Sequence, residues 1–233
     1  METESDRIKS VYHARHQQGI DARYNILRAE NWLGIQALER AMIKCFRRAA
    51  ITDLSILKFL DVGCGTGGSL LRWIEWGASP SMCNGVDLVD THIEQAKVRL
   101  PASVNLQLSD ASRLPFADNA FDVTSHFTVL SSILDENMQA MVAGEMLRVT
   151  GPNGIILSYD FWLNPQNPAT RGLRIARIRR LFPNCNMYIQ RITLAPPICR
   201  RVASFSPLCC RILEAAKLFN SHFLVMIQRR TLS

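Results

Sequence analysis

A glycine-rich turn between a short apolar run and a helix-like pattern constrains the fold of this chain more than any other feature. The turn reads Leu60-Asp-Val-Gly-Cys-Gly-Thr-Gly-Gly68; it follows a predicted strand over 59–62 and precedes a predicted helix over 68–76. Glycine permits a left-handed backbone and a close approach of a ligand to main-chain N–H groups at the start of a helix. The turn therefore predicts a nucleotide-type cofactor bound at the edge of a sheet.

The glycine spacing alone leaves two cofactors open. Gly63-x-Gly65-x-x-Gly68 satisfies the dinucleotide fingerprint, and Asp87 lies 20 residues after Gly67, where its carboxylate could accept hydrogen bonds from ribose hydroxyls. Asp61, inside the strand, suits a ligand with an ammonium group better than a pyrophosphate, which a carboxylate would repel. The pattern therefore favours S-adenosylmethionine (SAM) over a nicotinamide dinucleotide.

Five motifs in family order carry a resemblance to the class I SAM-dependent methyltransferases. They are similar to the glycine motif, the acidic end of the second strand, the adenine loop, the fourth strand and the turn into the fifth strand of that family. In this chain the five motifs lie at residues 60–67, 85–88, 109–116, 121–126 and 146–155. The resemblance covers residues 59–160 and implies a Rossmann-like methyltransferase with SAM as its cofactor.

Strand-like and helix-like patterns alternate after residue 59, which predicts an α/β fold with a doubly wound, mostly parallel sheet and helices on both faces. Seven strands are expected, at residues 59–62, 83–88, 104–108, 121–126, 154–160, 187–194 and 222–229. The resemblance implies that the last two form a hairpin at the sheet edge.

Two parts of the chain are expected outside this alternating pattern. Residues 1–50 are predicted to form an N-terminal helical segment or lid, in which His13 and Tyr24 are candidates to close over the site. Residues 51–233 form the predicted SAM-binding methyltransferase domain. Within it a basic, partly helical insertion is predicted over 195–221, with a helix that begins at Ser206 and Pro207.

The resemblance implies which residues bind the amino-acid half of SAM. Asp61 would bind the methionine amino group. The backbone of the glycine turn, at Gly63, Cys64, Gly65 and Gly67, would lie along the methionine and the ribose.

The nucleoside half of SAM has its own implied contacts. Asp87 would bind the ribose hydroxyls, and Leu88 would pack on one face of the adenine. Asp110 would accept a hydrogen bond from the adenine amino group, while the N–H of Ala111 would donate to a ring nitrogen.

Catalysis is expected to depend mainly on placing the acceptor, because the sulfonium methyl group is already activated. His126 and Phe127, at the end of the fourth strand, would lie near the sulfonium. His126 is the first candidate for a general base toward a hydroxyl acceptor and Asp160 the second. A cofactor-lining role for His126 without proton transfer is the alternative.

The segment after the fourth strand narrows the acceptor. It reads His126-Phe-Thr-Val-Leu-Ser-Ser132 and lacks the Asn/Asp-Pro-Pro-aromatic motif of family members that methylate amines. This absence disfavours methylation of an amine. Residues 159–162, 180–183 and 194–197 resemble bacterial methyltransferases of glycan and natural-product pathways. That resemblance implies a hydroxyl of a sugar or natural-product intermediate as the acceptor.

The net charge of +7 is distributed unevenly. Residues 161–233 carry twelve Lys or Arg against one acid, Glu214, a net +11, so the first 160 residues sum to −4. The basic region predicts contact with a phosphate-bearing small molecule, with RNA or with an anionic membrane surface, although a solvated helix face is the ordinary alternative. An RNA methyltransferase and a non-catalytic SAM-binding protein therefore remain alternative functions.

Cysteine spacing and hydropathy indicate whether the chain binds a metal and where in the cell it is found. The seven cysteines show no zinc-type spacing, so no metal site is expected. No apolar run is long enough to span a membrane and no secretory signal is evident, which predicts a cytoplasmic protein. The oligomeric state stays open.

Overall fold

The computed structural model describes residues 3–17, 25–163 and 167–230, which fold around one sheet. Its strands are β1 Phe59–Val62, β2 Cys83–Asp87, β3 Asn105–Leu108, β4 Phe121–Phe127, β5 Thr150–Phe161, β6 Cys185–Leu194 and β7 Asn220–Arg229. The helices are α1 Glu4–Gln17, α2 Ala29–Arg48, α3 Gly68–Glu75, α4 Asp90–Arg99, α5 Glu136–Val149, α6 Ile175–Leu181, α7 Pro196–Ala203 and α8 Pro207–Ala216. Two single 3₁₀ turns lie at Pro80–Met82 and Leu130–Ser132.

The strand order is β3-β2-β1-β4-β5-β7-β6. The first five strands are parallel, whereas β7 lies antiparallel between β5 and β6. The carboxyl ends of β1, β2, β4 and β5 therefore meet the first residues of β7 at one edge. This topology confirms the predicted α/β fold with its mostly parallel seven-stranded sheet and terminal hairpin.

Helices cover both faces of the sheet and bury an apolar core on each. On one face Trp73 of α3 stacks on Phe59 of β1 with ring centroids 5.6 Å apart, and Met42 of α2 is fully buried beside them. On the other face Met146 of α5 packs with Ile156 of β5. The two cores hold the parallel strands rigidly, so the loops at their carboxyl ends are fixed in place.

The structure differs from the sequence prediction mainly in three places, and β6 and β7 each also begin two residues earlier than predicted. The N-terminal segment contains two helices, α1 and α2, while residues 18–24, with the candidate lid residue Tyr24, lie outside the described residues. Strand β5 begins at Thr150 instead of 154, because Thr150 pairs with Phe121 before an irregularity in the register. The insertion between β6 and β7 holds α7 as well as the predicted α8, whose N-cap is Ser206. No helix among the described ranges is long and apolar enough to cross a bilayer.

Candidate active site

The glycine turn has the backbone geometry that its sequence predicts. Gly63, Gly65 and Gly67 adopt φ of +69°, +53° and +80°, in the left-handed region. A Cβ atom on Gly63 would lie 2.4 Å from the Val129 side chain, so the turn and the segment after β4 approach too closely for any other residue. The N–H groups of Gly63 and Cys64 both donate to the Val86 carbonyl, which ties the turn to β2.

A cavity of about 470 Å³ opens over this turn at the carboxyl edge of the sheet. Its wall includes eight of the predicted cofactor residues: Gly63, Cys64, Gly65, Asp87, Leu88, Asp110, Ala111 and Phe127. Three other predicted residues lie outside the wall. Asp61 is buried beneath the turn, Gly67 packs against Leu100, and His126 is buried within the sheet. The cavity therefore brings together four separate motifs of the sequence.

Both carboxylate oxygens of Asp87 are held by backbone N–H groups. One oxygen accepts from Gly65 at 2.8 Å and the other from Val89 at 2.9 Å, with the His92 ring nitrogen 3.2 Å from the latter oxygen. The carboxylate thus joins the glycine turn to the start of α4. This arrangement fixes its orientation before a ligand arrives, as a ribose-binding carboxylate requires.

Asp61 is a buried carboxylate whose ionisation is costly. It is 1% exposed, and the Ser125 hydroxyl donates to it at 2.8 Å. Burial raises the pKa of Asp61 to about 7, and the nearby Asp87 carboxylate adds to that shift. A ligand cation above the turn would favour the ionised form. The site therefore fits a ligand with an ammonium group.

The adenine loop is tied to the N-terminal helix. Asp110 accepts the Ser112 N–H at 2.8 Å and the hydroxyl of Ser5, in α1, at 2.6 Å. Although burial opposes it, the hydrogen bonds from Ser5 and Ser112 hold the pKa of Asp110 below its ordinary value. In this arrangement the carboxylate that is predicted to receive the adenine amino group already has a partner on α1.

Helix α1 lies across the mouth of the cavity. Ile8 and Tyr12 form part of its wall, and Arg7 donates to the Ser132 carbonyl at 2.7 Å. Tyr12 also meets the His92 ring edge-on, with centroids 5.3 Å apart. The candidate lid residue His13 lies outside the wall, 4.0 Å from the Asp90 carboxylate. A lid function for this segment stays a prediction.

The sequence did not single out several other wall residues, which include Thr66, Ser69, Arg72, His92, Thr128, Val129, Ser132, Ile133 and Met138. Thr128 adopts φ of +62°, an unusual conformation for a β-branched residue. No local sequence signal announces it, because the Thr128 conformation is set by tertiary contacts such as its 2.7 Å hydrogen bond to the Tyr159 carbonyl.

His126 and Asp160 lie together on the face of the sheet that α5 covers. The His126 ring is fully buried, its Nδ1 is 3.7 Å from an Asp160 oxygen, and neither ring nitrogen has a hydrogen-bond partner within the described residues. Burial lowers the pKa of His126 to about 3 and raises that of Asp160 to about 7. Asp160 also accepts the Ser131 N–H at 3.1 Å and so supports the Leu130–Ser132 turn. A base role for either residue stays a prediction.

A row of rings leads from the cavity along the same edge of the sheet. Phe127, in the cavity wall, lies 6.2 Å from Tyr159, which stacks on His222 at 4.7 Å; His222 lies 4.1 Å from Phe161. Phe161 in turn lines a second hollow of about 430 Å³. The walls of this hollow are mainly apolar and include Trp162, Leu163, Pro196, Pro197, Ile198, Leu218 and Phe219.

Comparisons with known proteins match the middle of the chain. Residues 60–158 match the family model described as a methyltransferase domain. A tRNA N(3)-cytidine methyltransferase, METTL2, of Gallus gallus is 31% identical over 112 residues, which are 45% of this chain and 30% of that protein. A demethylmenaquinone methyltransferase of Paenarthrobacter aurescens is 32% identical over 149 residues, 63% of this chain and 56% of that protein. The chain therefore spans between about a third and just over half of these relatives.

The fold also matches solved structures. An S-adenosylmethionine-dependent methyltransferase from Mesorhizobium loti superposes with a TM-score of 0.56 at 16% identity, covering 78% of this chain and 95% of that chain. At this identity the likeness concerns the fold.

Proposed function

We propose that this chain, whose residues 60–158 form a class I SAM-dependent methyltransferase domain, methylates a hydroxyl group on a small amphiphilic acceptor. The domain match supports the predicted family, the enzyme class and SAM as the methyl donor, and the fold agrees with that family. The acceptor that we infer is a sugar or natural-product head group that is carried on an apolar chain.

The observation that carries this proposal is the apolar hollow beside the cofactor cavity. Both open at the carboxyl edge of the sheet, and the packed rings of Phe127, Tyr159, His222 and Phe161 form a row between them. Apolar walls with few polar groups favour a hydrocarbon ligand, because a polar ligand would lose its hydration there without compensation. An acceptor with its head group near Phe127 and its chain toward Phe161 would use both spaces.

The chemistry asks the protein mainly for position. When bound, SAM supplies an activated methyl group, which an acceptor oxygen attacks in line. The glycine turn, Asp61 and Asp87 would hold the donor, while Phe127 and Val129 would keep water from the reacting atoms. His126 and Asp160 remain the candidate bases. Both are buried outside the cavity wall, and Asp160 is bonded to the Leu130–Ser132 turn, so proton transfer to either requires a local rearrangement.

Two competing functions have support of their own. The similarity to a demethylmenaquinone methyltransferase makes the ring carbon of a lipid-soluble quinone the runner-up acceptor, and it too would use an apolar hollow. RNA is supported by the METTL2 relative and by the basic C-terminal region. Against it, Arg171 and Arg177 of this region already pair with Glu136, which reduces the positive charge available to a phosphate backbone.

We further propose a cytoplasmic location, since all seven cysteines are free.

Transfer from methyl-labelled SAM to a matched acceptor panel tests the proposal. The panel contains one set of sugars in nucleotide-linked and polyprenyl-phosphate-linked form, a demethylated isoprenoid quinone, and total tRNA. We expect label on the polyprenyl-linked sugars. Label on the quinone or the tRNA alone would replace the proposed acceptor, and SAM binding with no transfer to any of them would favour the non-catalytic alternative.

A substitution in the hollow tests the binding of the acceptor's apolar chain separately from that of its head group. Leu163→Asp places a charge at the rim of the hollow and should raise KM for the chain-bearing acceptor at least about tenfold, because burying a charge against hydrocarbon is costly. Ile56→Asp, at an exposed apolar residue before β1, is the matched control. Equal KM values for the two variants would contradict a chain in the hollow.

A further inference from the structure

Helix α8 and its neighbouring loops expose apolar side chains that a folded protein would ordinarily bury. The exposed fractions are 90% for Phe205, 63% for Leu208, 60% for Ile212, 69% for Leu218 and 48% for Phe219. We call these five residues the α8 face. Leu208 and Ile212 are one helical turn apart, so they share one side of α8. Exposed apolar residues that are grouped in this way mark an interaction surface.

The packing of α8 fixes this side outward. On the inner side Cys210 is buried against Leu33, Leu194 and Cys199, which join α8 to α2, β6 and α7. Glu214 also faces inward, where it accepts from Arg40 of α2 at 2.8 Å. The helix therefore cannot bury Leu208 or Ile212 by rotating without withdrawing Cys210 and breaking that ion pair.

Positive charge surrounds the apolar residues. Arg211 is exposed on α8 beside Leu208, Lys217 is exposed just before Leu218, and Arg201 is exposed on α7. The sole acid in residues 161–233, Glu214, is engaged with Arg40. The α8 face thus combines apolar side chains with cations and presents no carboxylate from this region.

We propose that the α8 face docks on an anionic lipid membrane. Apolar side chains would enter the interfacial region of the bilayer, while Arg201, Arg211 and Lys217 would lie at the level of the lipid phosphates. Two copies of the face would bring like charges together, which disfavours a dimer through it, and an RNA backbone would leave Phe205 and Leu208 in water. Leu218 and Phe219 also line the apolar hollow, so a docked membrane would adjoin it.

Vesicle flotation tests this inference without any acceptor and therefore independently of the proposed function. The probes are vesicles of phosphatidylcholine alone and of phosphatidylcholine with phosphatidylglycerol. The full chain should float with the anionic vesicles only. Phe205→Ser with Leu208→Ser should weaken that binding at least about tenfold, since each apolar side chain contributes by its buried area. Arg211→Gln with Lys217→Gln should weaken it by roughly tenfold or more.

Matched controls distinguish an effect of the α8 face from a general loss of exposed apolar area or positive charge. Val98→Ser with Leu108→Ser removes two exposed apolar residues near the opposite edge of the sheet, and Arg179→Gln with Arg180→Gln removes two exposed cations on α6. Both controls should bind as the unchanged protein does, and SAM binding verifies that each variant is folded. Absence of binding to anionic vesicles, or equal losses in test and control pairs, overturns the inference. So does a dimer, detected by sedimentation, that the Phe205→Ser and Leu208→Ser pair dissociates.

Discussion

Asp61 is a deeply buried carboxylate that we propose as the partner of the ligand's ammonium group. In the absence of such a ligand its carboxyl is protonated below a pKa of about 7, because burial disfavours the charge. The methionine ammonium of SAM would reverse that preference. On this proposal, cofactor binding is linked to loss of a proton from Asp61.

We expect the affinity for SAM to rise with pH between 5.5 and 7, by up to about tenfold per pH unit for one proton released. The rise should level off above the pKa of Asp61, and above about pH 8 the affinity should fall because the ligand amine loses its proton. Asp61→Asn should bind SAM more weakly and without this slope. Isothermal titration across the range measures both effects, with Asp53→Asn, at an exposed aspartate, as control. An unchanged slope in Asp61→Asn would remove Asp61 from the ammonium site.

The three candidate carboxylates could be predicted from sequence because each lies in or just after a strand with a recognisable motif. Asp61, Asp87 and Asp110 all lie at the glycine turn and the adjoining strand ends. Sequence could not predict that His126 faces away from the cavity. The side chains of a strand alternate between faces, and a shift of one residue in the expected orientation moves the ring from the cavity into the core.

Helix α1 is the element whose position bears most on cofactor exchange. It contributes Ile8 and Tyr12 to the cavity wall, and Glu4 and Arg7 bond to the segment between β4 and α5. A ligand in the cavity would lie beneath this helix. Release of the ligand would then require these bonds to open, as in other sites that a lid closes.

Glu4→Ala with Arg7→Ala should therefore speed SAM dissociation by about tenfold, since each lost charge-assisted hydrogen bond weakens closure. Stopped-flow displacement of a fluorescent SAM analogue gives the rate. Gln17→Ala, at an exposed residue of the same helix, is the control. A dissociation rate that stays the same in the double variant would show that α1 is a fixed wall and not a lid.

The local sequence pattern predicted the positions of the parallel strands well, but it did not predict the orientation of α8. The alternation of apolar runs and turns fixed β1 to β5 to within a few residues. The amphipathic pattern of residues 206–219 also predicted a helix. It could not show that Leu208 and Ile212 face outward, because that depends on how Cys210 and Glu214 meet α2, far away in the sequence.

At the scale of the whole molecule, four deeply buried groups among the described residues have pKa values that folding shifts in opposite directions. Burial raises the pKa of Asp61 and Asp160 from 3.8 to about 7 and lowers that of His126 and His222 from 6.5 to about 3. Between pH 4.5 and 6.5 the folded chain holds protons on both aspartates, whereas the unfolded chain holds them on both histidines. The numbers of bound protons are then equal, and these groups together give the unfolding free energy no slope with pH.

Replacing one of these four residues should give the unfolding free energy a measurable slope with pH. In His126→Leu the folded chain holds protons on two aspartates, whereas the unfolded chain holds one on a single histidine. Because the folded chain then binds one more proton, the unfolding free energy should fall as pH rises from 4.5 to 6.5. In Asp61→Asn the unfolded chain binds one more proton than the folded chain, so the unfolding free energy should rise over the same pH range. Each slope is at most about 1.4 kcal/mol per pH unit. Urea unfolding of the cofactor-free chain at several pH values measures them, with His13→Gln as the control for loss of an exposed histidine. Slopes of the same sign in both variants would mean that at least one of these side chains is hydrated in the folded chain, because burial is the cause that separates them.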